Sequence, residues 1–319
     1  MRRRFLFIPA VLVCCRLDAQ TLGTAKPAGK EPTLSIGGLL QVQAEAGDKG
    51  DARFTNDNDR FYLRRARLNA TGKFLEEFDF RIEGEFTGTL ASTTALRAQL
   101  TDAYVTWNRH PEASVRFGQF KTPFGFEQLY GDPRLYTLER SLANDRLTLS
   151  RQDGVQVGGD LWEKRFSYAV GAFNGNGANN NFNDDDRFLT AGRISGVPWQ
   201  GKLGGKRGSW GIGGDFYQSD DSNVSPGSEF GFDSGIFAGK RHGYGFDSQL
   251  QWGPVELWAE VLHTIWEPDS GRPLIIAASN LQRWIVSRRT MTARPTASML
   301  GEAERPPRSR RSARWPTRM

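Results

Sequence analysis

The sequence predicts an all-β fold, read as an antiparallel transmembrane β-barrel, on three observations. Apolar and charged residues alternate with period two in stretch after stretch, the signature of strands with two unlike faces. Several of these stretches are about ten residues long, which suits a tilted strand crossing a bilayer. Trp107, Trp162, Trp199, Trp210, Trp252 and Trp258 fall within or beside the strands, as the aromatic girdles of outer-membrane barrels do. A soluble β-sandwich is the alternative, because its strands alternate too. Dense mixed charge on the polar faces and long Asn/Asp/Ser-rich loops favour a water-filled lumen over a sandwich surface.

The chain of 319 residues opens MRRRFLFIPAVLVCCRLDAQ. Arg2, Arg3 and Arg4 precede an apolar run from Phe5 to Cys15, and Leu17 and Ala19 occupy positions −3 and −1 of a cleavage site. Residues 1–19 therefore read as a secretory signal, with an apolar run too short to span a bilayer as a helix. Both cysteines lie inside it, so the mature chain is expected to hold no disulfide or thiolate metal site. Residues 20–32 read as an N-terminal linker, and 33–282 as the barrel.

About eleven strands are legible, near 33–45, 59–72, 75–87, 97–109, 113–121, 152–162, 164–173, 187–195, 208–218, 243–252 and 254–266. In EEFDFRIEGEF, Phe78, Phe80, Ile82 and Phe86 alternate with Glu77, Asp79, Arg81, Glu83 and Glu85. In RFYLRRARLNATG, Tyr62, Ala66, Leu68 and Ala70 share one face and Arg65, Arg67 and Asn69 the other. LTDAYVTWN sets Ala103, Val105 and Trp107 against Asp102, Tyr104 and Thr106, and GVQVGGDLW sets Val155, Val157 and Leu161 against Gln156 and Asp160. Turn segments between them are rich in Gly, Asn, Asp and Pro.

At Arg283 the text changes. Residues 283–319 hold ten Arg, four Pro and three of the four Met, with no Phe, Tyr, Lys or Asp. This stretch reads as a non-barrel tail, either a frameshifted continuation or a disordered basic segment. It also distorts the overall charge. Of the net +6, the signal contributes +3 and the tail +8, which leaves the body at −5. The basic balance therefore belongs to the two ends and gives no argument for nucleic-acid binding.

Catalytic and cofactor patterns are weak. His110, His242 and His263 are far apart and without an i,i+4 partner, and no GxSxG elbow is present. GNG in FNGNGANN lacks the spacing of a phosphate-cradling loop. Asn179–Asp186 could offer oxygens to calcium but lacks an ordered ligand spacing, and reads as a solvated turn. No cofactor and no metal are expected. The polar faces are more informative. Arg65 and Arg67 stand two apart on one strand face, and forked arginine donors suit phosphate and carboxylate oxygens. The competing reading is that they pair with carboxylates on the facing strand, such as Asp79 and Glu83.

RFYLRRARLNATGKF, LTDAYVTW, VRFGQFKTPFGFEQL and YAVGAFNGNG, in this order, resemble the phosphate-selective porin O and P family, from about residue 33 to 270. The third is the most specific, a strand ending GQFK followed by Pro-Phe-Gly and an acidic residue. The resemblance implies a sixteen-stranded outer-membrane barrel, usually a homotrimer, passing small anions such as phosphate or polyphosphate by diffusion, and no catalysis. It places Arg64, Arg65 and Lys121 in an anion-selecting constriction, with Arg67 beside them on the pore face. Arg64 conflicts with simple alternation, which turns it toward lipid. Lys121 conflicts likewise, unless a bulge near Gly118 resets the strand or the strand has ended before Pro123. The segment after the motif, with Arg134, Arg140, Arg146 and Arg151, is expected to fold inward and narrow the pore; an ordinary surface loop with a short helix near 135–144 is the alternative. A general non-selective porin and a soluble exported glycan-binding β-protein are the alternatives.

Overall fold

The computed structural model describes residues 12–13, 32–45, 60–87, 98–224 and 236–285, apart from residues 136, 138 and 181. The signal and linker readings lie almost wholly outside these residues, and so does the tail beyond Ile285.

The strands form one antiparallel sheet in which each neighbours the next in sequence. They are β1 (Leu12–Val13), β2 (Thr33–Glu45), β3 (Arg60–Phe74), β4 (Phe78–Glu85), β5 (Gln99–His110), β6 (Ala113–Lys121) and β7 (Arg151–Leu161). β8 (Phe166–Phe173), β9 (Leu189–Leu203), β10 (Lys206–Val224), β11 (Phe237–Trp252), β12 (Val255–Pro268) and β13 (Leu274–Ile285) complete it. β1 is only a dipeptide paired with Leu40 and Gln41. The eleven strands read from alternation thus become twelve long ones. The extra one is β13, whose LIIAASNLQRWI alternates too weakly to announce itself and runs across the composition change at Arg283. Among the described residues β13 pairs only with β12, and the sheet is not closed by a β13–β2 ladder.

The two ends of the sheet differ. β3–β4, β5–β6, β7–β8, β9–β10 and β11–β12 are joined by turns of two to four residues, while the connections at the other end reach the length of segment 122–150. Outer-membrane barrels keep their short turns in the periplasm and their long loops outside.

One face of the sheet is an apolar band left uncovered. Leu34, Ile36, Leu68, Ile82, Val105, Phe117, Val157, Val170, Ile194, Phe246, Val261 and Ile275 are all exposed. In a sandwich this face would be the core; here it is the surface that meets lipid. The opposite face is polar and surrounds segment 122–150, which touches Arg64 of β3, Asp215 of β10, Glu260 of β12 and Asn280 of β13. A sheet that reaches one central segment from β3 and from β13 must curl around it. No helix of the described residues is long and apolar enough to cross a membrane.

Trp162, Trp210 and Trp252 stand exposed at the short-turn end, as a girdle requires. Trp258 does not join them. It is 4% exposed, with its ring 5.3 Å from Phe126 and 4.6 Å from Tyr130 inside the barrel.

Candidate functional site

The site is built where β3, β6 and segment 122–150 meet. In β3 the ladder with β2 pairs Arg65 with Gln41 and Leu63 with Val42, so Arg64 is an inserted residue. A β-bulge of this kind turns two successive side chains toward one face. Arg64 and Arg65 therefore both reach Glu139. Arg64 donates through Nε at 2.5 Å and Nη2 at 2.7 Å, and Arg65 through Nη2 at 3.0 Å. The bulge removes the conflict over Arg64. It also corrects the reading of Tyr62, which alternation grouped with Ala66 and Leu68. Tyr62 donates to Gln43 Oε1 at 2.5 Å, while Phe61 and Leu63 are exposed on the lipid side and Leu68 resumes that side after the bulge.

Arg67 donates to Glu85 at 2.6 Å and pairs with Asp132, with Glu83 further off at 3.9 Å. Glu83 is thus a partner, as expected, whereas Asp79 is held by Lys73 at 3.2 Å. Arg140 reaches Asp132 at 2.6 Å and the carbonyl of Tyr130 at 2.8 Å.

Lys121 is the last residue of β6, paired with Arg151. The β6–β7 register runs without a slip from Ser114 to Lys121, so no residue is inserted. The irregularity is at Gly118, whose φ of 127° is open to glycine and strained for other residues. A β-carbon there would also run into the carbonyl oxygen of Ala103. Before it, Phe117 is 71% exposed; after it, Gln119 and Phe120 are 4% and 1% exposed. Lys121 likewise turns from lipid and donates to the carbonyls of Gln128 at 2.6 Å and Tyr130 at 3.3 Å.

The Pro-Phe-Gly-Phe-Glu run that follows is the anchor of the segment. Gly125, at φ 85°, presents its N–H to Asp215 at 3.2 Å. The N–H groups of Phe126 and Glu127, in α1 (Phe126–Leu129), donate to Glu260 at 2.6 and 3.3 Å. Beneath them Arg193 lies between Asp215 at 2.5 Å and Asp247 at 2.6 Å, with all three side chains at most 1% exposed. Glu127 accepts from Ser141 N at 3.0 Å and from Asn280 Nδ2 at 3.1 Å. Phe124, Leu147 and Leu149 complete the contact, packed with Phe120, Phe173, Leu189, Tyr217 and Leu262. The helix expected near 135–144 is instead α2 (Leu142–Leu147), capped by the Ser141 hydroxyl accepting from Asn144 N. Ser141 fixes the start of this helix, because its hydroxyl satisfies an orphan N–H of the first turn.

Burial alone would push the Asp132 carboxyl up, but Arg140, Arg67, Arg65 and Lys121 together hold it far below the usual carboxylate range. Glu139 is likewise raised by burial and carried below its ordinary value by Arg64 and Arg65. Burial, with Glu256 nearby, pushes the Tyr130 phenol up to about 12.

Of the arginines and lysine singled out from the sequence, the fold therefore brings Arg64, Arg65, Arg67, Arg140 and Lys121 around Asp132 and Glu139. Arg134 and Arg146 stand exposed on the segment, at the ends of the 3-10 turn and of α2. The alternation reading missed the acidic anchor of Asp215, Asp247 and Glu260 and its Arg193, because no local pattern links residues so far apart in sequence. It also missed Arg116. That guanidinium lies on the pore face, 4.3 Å over the Tyr104 ring, and donates to Thr106 Oγ1 at 3.1 Å. Among the described residues, neither Arg116 nor Lys121 makes an ion pair with a carboxylate. No group of three or more His, Cys, Asp or Glu among the described residues could hold a metal ion. Asn183 and Asp185 instead cap their own turn, accepting from Asp185 N and Arg187 N.

Residues 36–230 match the family described as phosphate-selective porin O and P. Among solved structures, the outer membrane channel DcaP of Acinetobacter baumannii is 18% identical, with a TM-score of 0.45 over 76% of this chain and 66% of that one. The chain thus spans just under two thirds of that channel's length. OmpT of Vibrio cholerae, in its trimer form, is 11% identical, with a TM-score of 0.36 over 79% of this chain and 83% of that one. No curated protein sequence matches the chain.

Proposed function

Since the chain belongs to the phosphate-selective porin O and P family, and is therefore an outer-membrane β-barrel porin of bacteria, we propose that it passes small anions passively and that phosphate is among them. One observation carries the reading. Where segment 122–150 faces β3–β7, the pore face collects Arg64, Arg65, Arg67, Arg81, Arg140, Arg151 and Lys121 against Glu83, Glu85, Asp102, Asp132 and Glu139. The excess is two positive charges, in a body whose net charge is negative. Charged rings in narrow passages set ion preference. The carboxylates hold the guanidiniums in place, and the excess charge favours an anion in the remaining water. Solutes move down their gradients without a chemical step, and the subunits assemble as a homotrimer.

The acidic anchor on the opposite wall favours a second reading, a general porin with little ion preference. Purified protein in a planar bilayer separates the two. In a potassium chloride gradient the reversal potential is expected to take the sign of chloride permeation, and millimolar phosphate is expected to lower the chloride current. A reversal potential near zero supports the general porin. Anion selectivity without phosphate block removes phosphate as the ligand while leaving the anion reading intact.

A further inference from the structure

The five short turns differ in charge. Glu76 and Glu77 mark one and Glu112 another, Glu163 shares the third with Lys164 and Arg165, and Gly253–Pro254 is neutral. The β9–β10 hairpin is different. Its tip, Trp199 to Trp210, carries Lys202, Lys206 and Arg207 and no carboxylate.

Behind this tip the outer wall has a hollow lined by Trp199, Lys202, Leu203, Trp210 and Leu250. Its cause is in the register. Trp199, Trp210 and Leu250 form one cross-strand row, and Gly201, Gly208 and Trp252 form the next. The two glycines bring no side chain to the second row, and the Trp199 ring lies over both, 3.0 Å from where a β-carbon on Gly208 would lie and 3.6 Å from one on Gly201. The other two indoles are fixed, with Trp210 Nε1 donating to Ser248 Oγ and Trp252 Nε1 to the Leu203 carbonyl, each at 3.0 Å. Lys206 Nζ sits 4.4 Å over the Trp252 ring. Trp210, Leu250 and Leu203 are 42%, 41% and 63% exposed, so the hollow opens outward from the wall.

We propose that this hollow is a binding site for one anionic phospholipid of the periplasmic leaflet. The phosphate diester lies against Lys202 and Lys206, and an acyl chain lies along Trp199, Leu203, Trp210 and Leu250. The depth fits, because short turns mark the periplasmic side and girdle residues mark the headgroup level. The charge selects the headgroup. A zwitterionic lipid balances its phosphate internally, whereas an anionic one is drawn to basic side chains by about fivefold in affinity for each.

Tryptophan fluorescence of the full chain in nanodiscs tests this. The discs contain phosphatidylcholine with a minor share of either dibrominated phosphatidylglycerol or dibrominated phosphatidylcholine, since bromine quenches indoles in contact with the chain. Phosphatidylglycerol is expected to quench at roughly twenty-five-fold lower mole fraction, fivefold for each lysine. Trp199→Phe with Trp210→Phe should remove that extra quenching, and Lys202→Gln with Lys206→Gln should abolish the preference while leaving ion selectivity unchanged. Equal quenching by the two lipids in the parent chain overturns the proposal. A change in subunit number in the lysine variant, read by native mass spectrometry, also overturns it and makes the hollow a contact between copies of the chain.

Discussion

Arg64 shows how one inserted residue changes the chemistry of a wall. Without the bulge its guanidinium would face hydrocarbon, at a cost of about 2–4 kcal/mol near the midplane; with it, Arg64 and Arg65 share Glu139. Two predictions separate paired from bare cations. Glu139→Gln leaves both arginines charged and removes their carboxylate, so anion preference should rise, with about 1–3 kcal/mol lost in stability from the unsatisfied donors. Arg116→Gln removes a cation that no described carboxylate balances, so anion preference should fall while Arg116→Lys keeps it. Reversal potentials read both, and an unchanged value for Arg116→Gln would return that residue to a stacking role over Tyr104. The arginine types and their spacing were legible in the sequence. The direction of Arg64 was not legible in the alternation of β3, because a bulge is a property of two paired strands and leaves no mark on either alone.

At the scale of elements, β6 and the segment after it act as one unit. Gly118→Ala should cost more than about 2 kcal/mol, since it adds both left-handed strain and a clash with the Ala103 carbonyl; the urea midpoint of the heat-modifiable gel band measures this. The segment itself is held by ionised carboxylates. Asp132 and Glu139 have folded values depressed below their ordinary ones. Their stabilisation is therefore fully present above the ordinary carboxylate range and is lost as pH falls through the depressed values. The anion preference that rests on the Asp132 and Glu139 ion pairs should stay flat down to about pH 4 and change only in stronger acid. A step in that preference near pH 6 would show that the segment is released first at its β10–β12 seat, where Asp215 and Glu260 accept from its backbone. Strand alternation made these elements readable, because each strand carries its own two-faced pattern. The GQFK-Pro-Phe-Gly text marked where the segment starts. It could not show that Gly125 to Glu127 dock through backbone N–H groups, since amides leave no trace in residue type.

For the whole molecule, the assignment of faces is the claim with the widest reach. Val157 and Gln156 are neighbours in β7, the first 40% exposed on the lipid side and the second 6% exposed within. Val157→Lys should destabilise the barrel by about 2–4 kcal/mol, and Gln156→Lys by much less. Equal effects would mean that the face assignment fails. The barrel class and its polarity were legible, because period two and loop length are written along the chain. The strand count was short by one at β13. The pairing of distant acidic residues with the inward segment lay beyond any local pattern.

The anchor of that segment spans long stretches of chain. Gly125 waits for Asp215, 90 residues on, Phe126 for Glu260, 134 residues on, and Glu127 for Asn280, 153 residues on. Contacts this remote form slowly, because the entropy of closing such loops is lost before the contact repays it. In a chain delivered from its N-terminus, the narrowing element is made early and its seat late. The segment can take its place only once β10, β12 and β13 have joined the sheet, so the last strands of the sheet decide where an element made near its middle comes to rest.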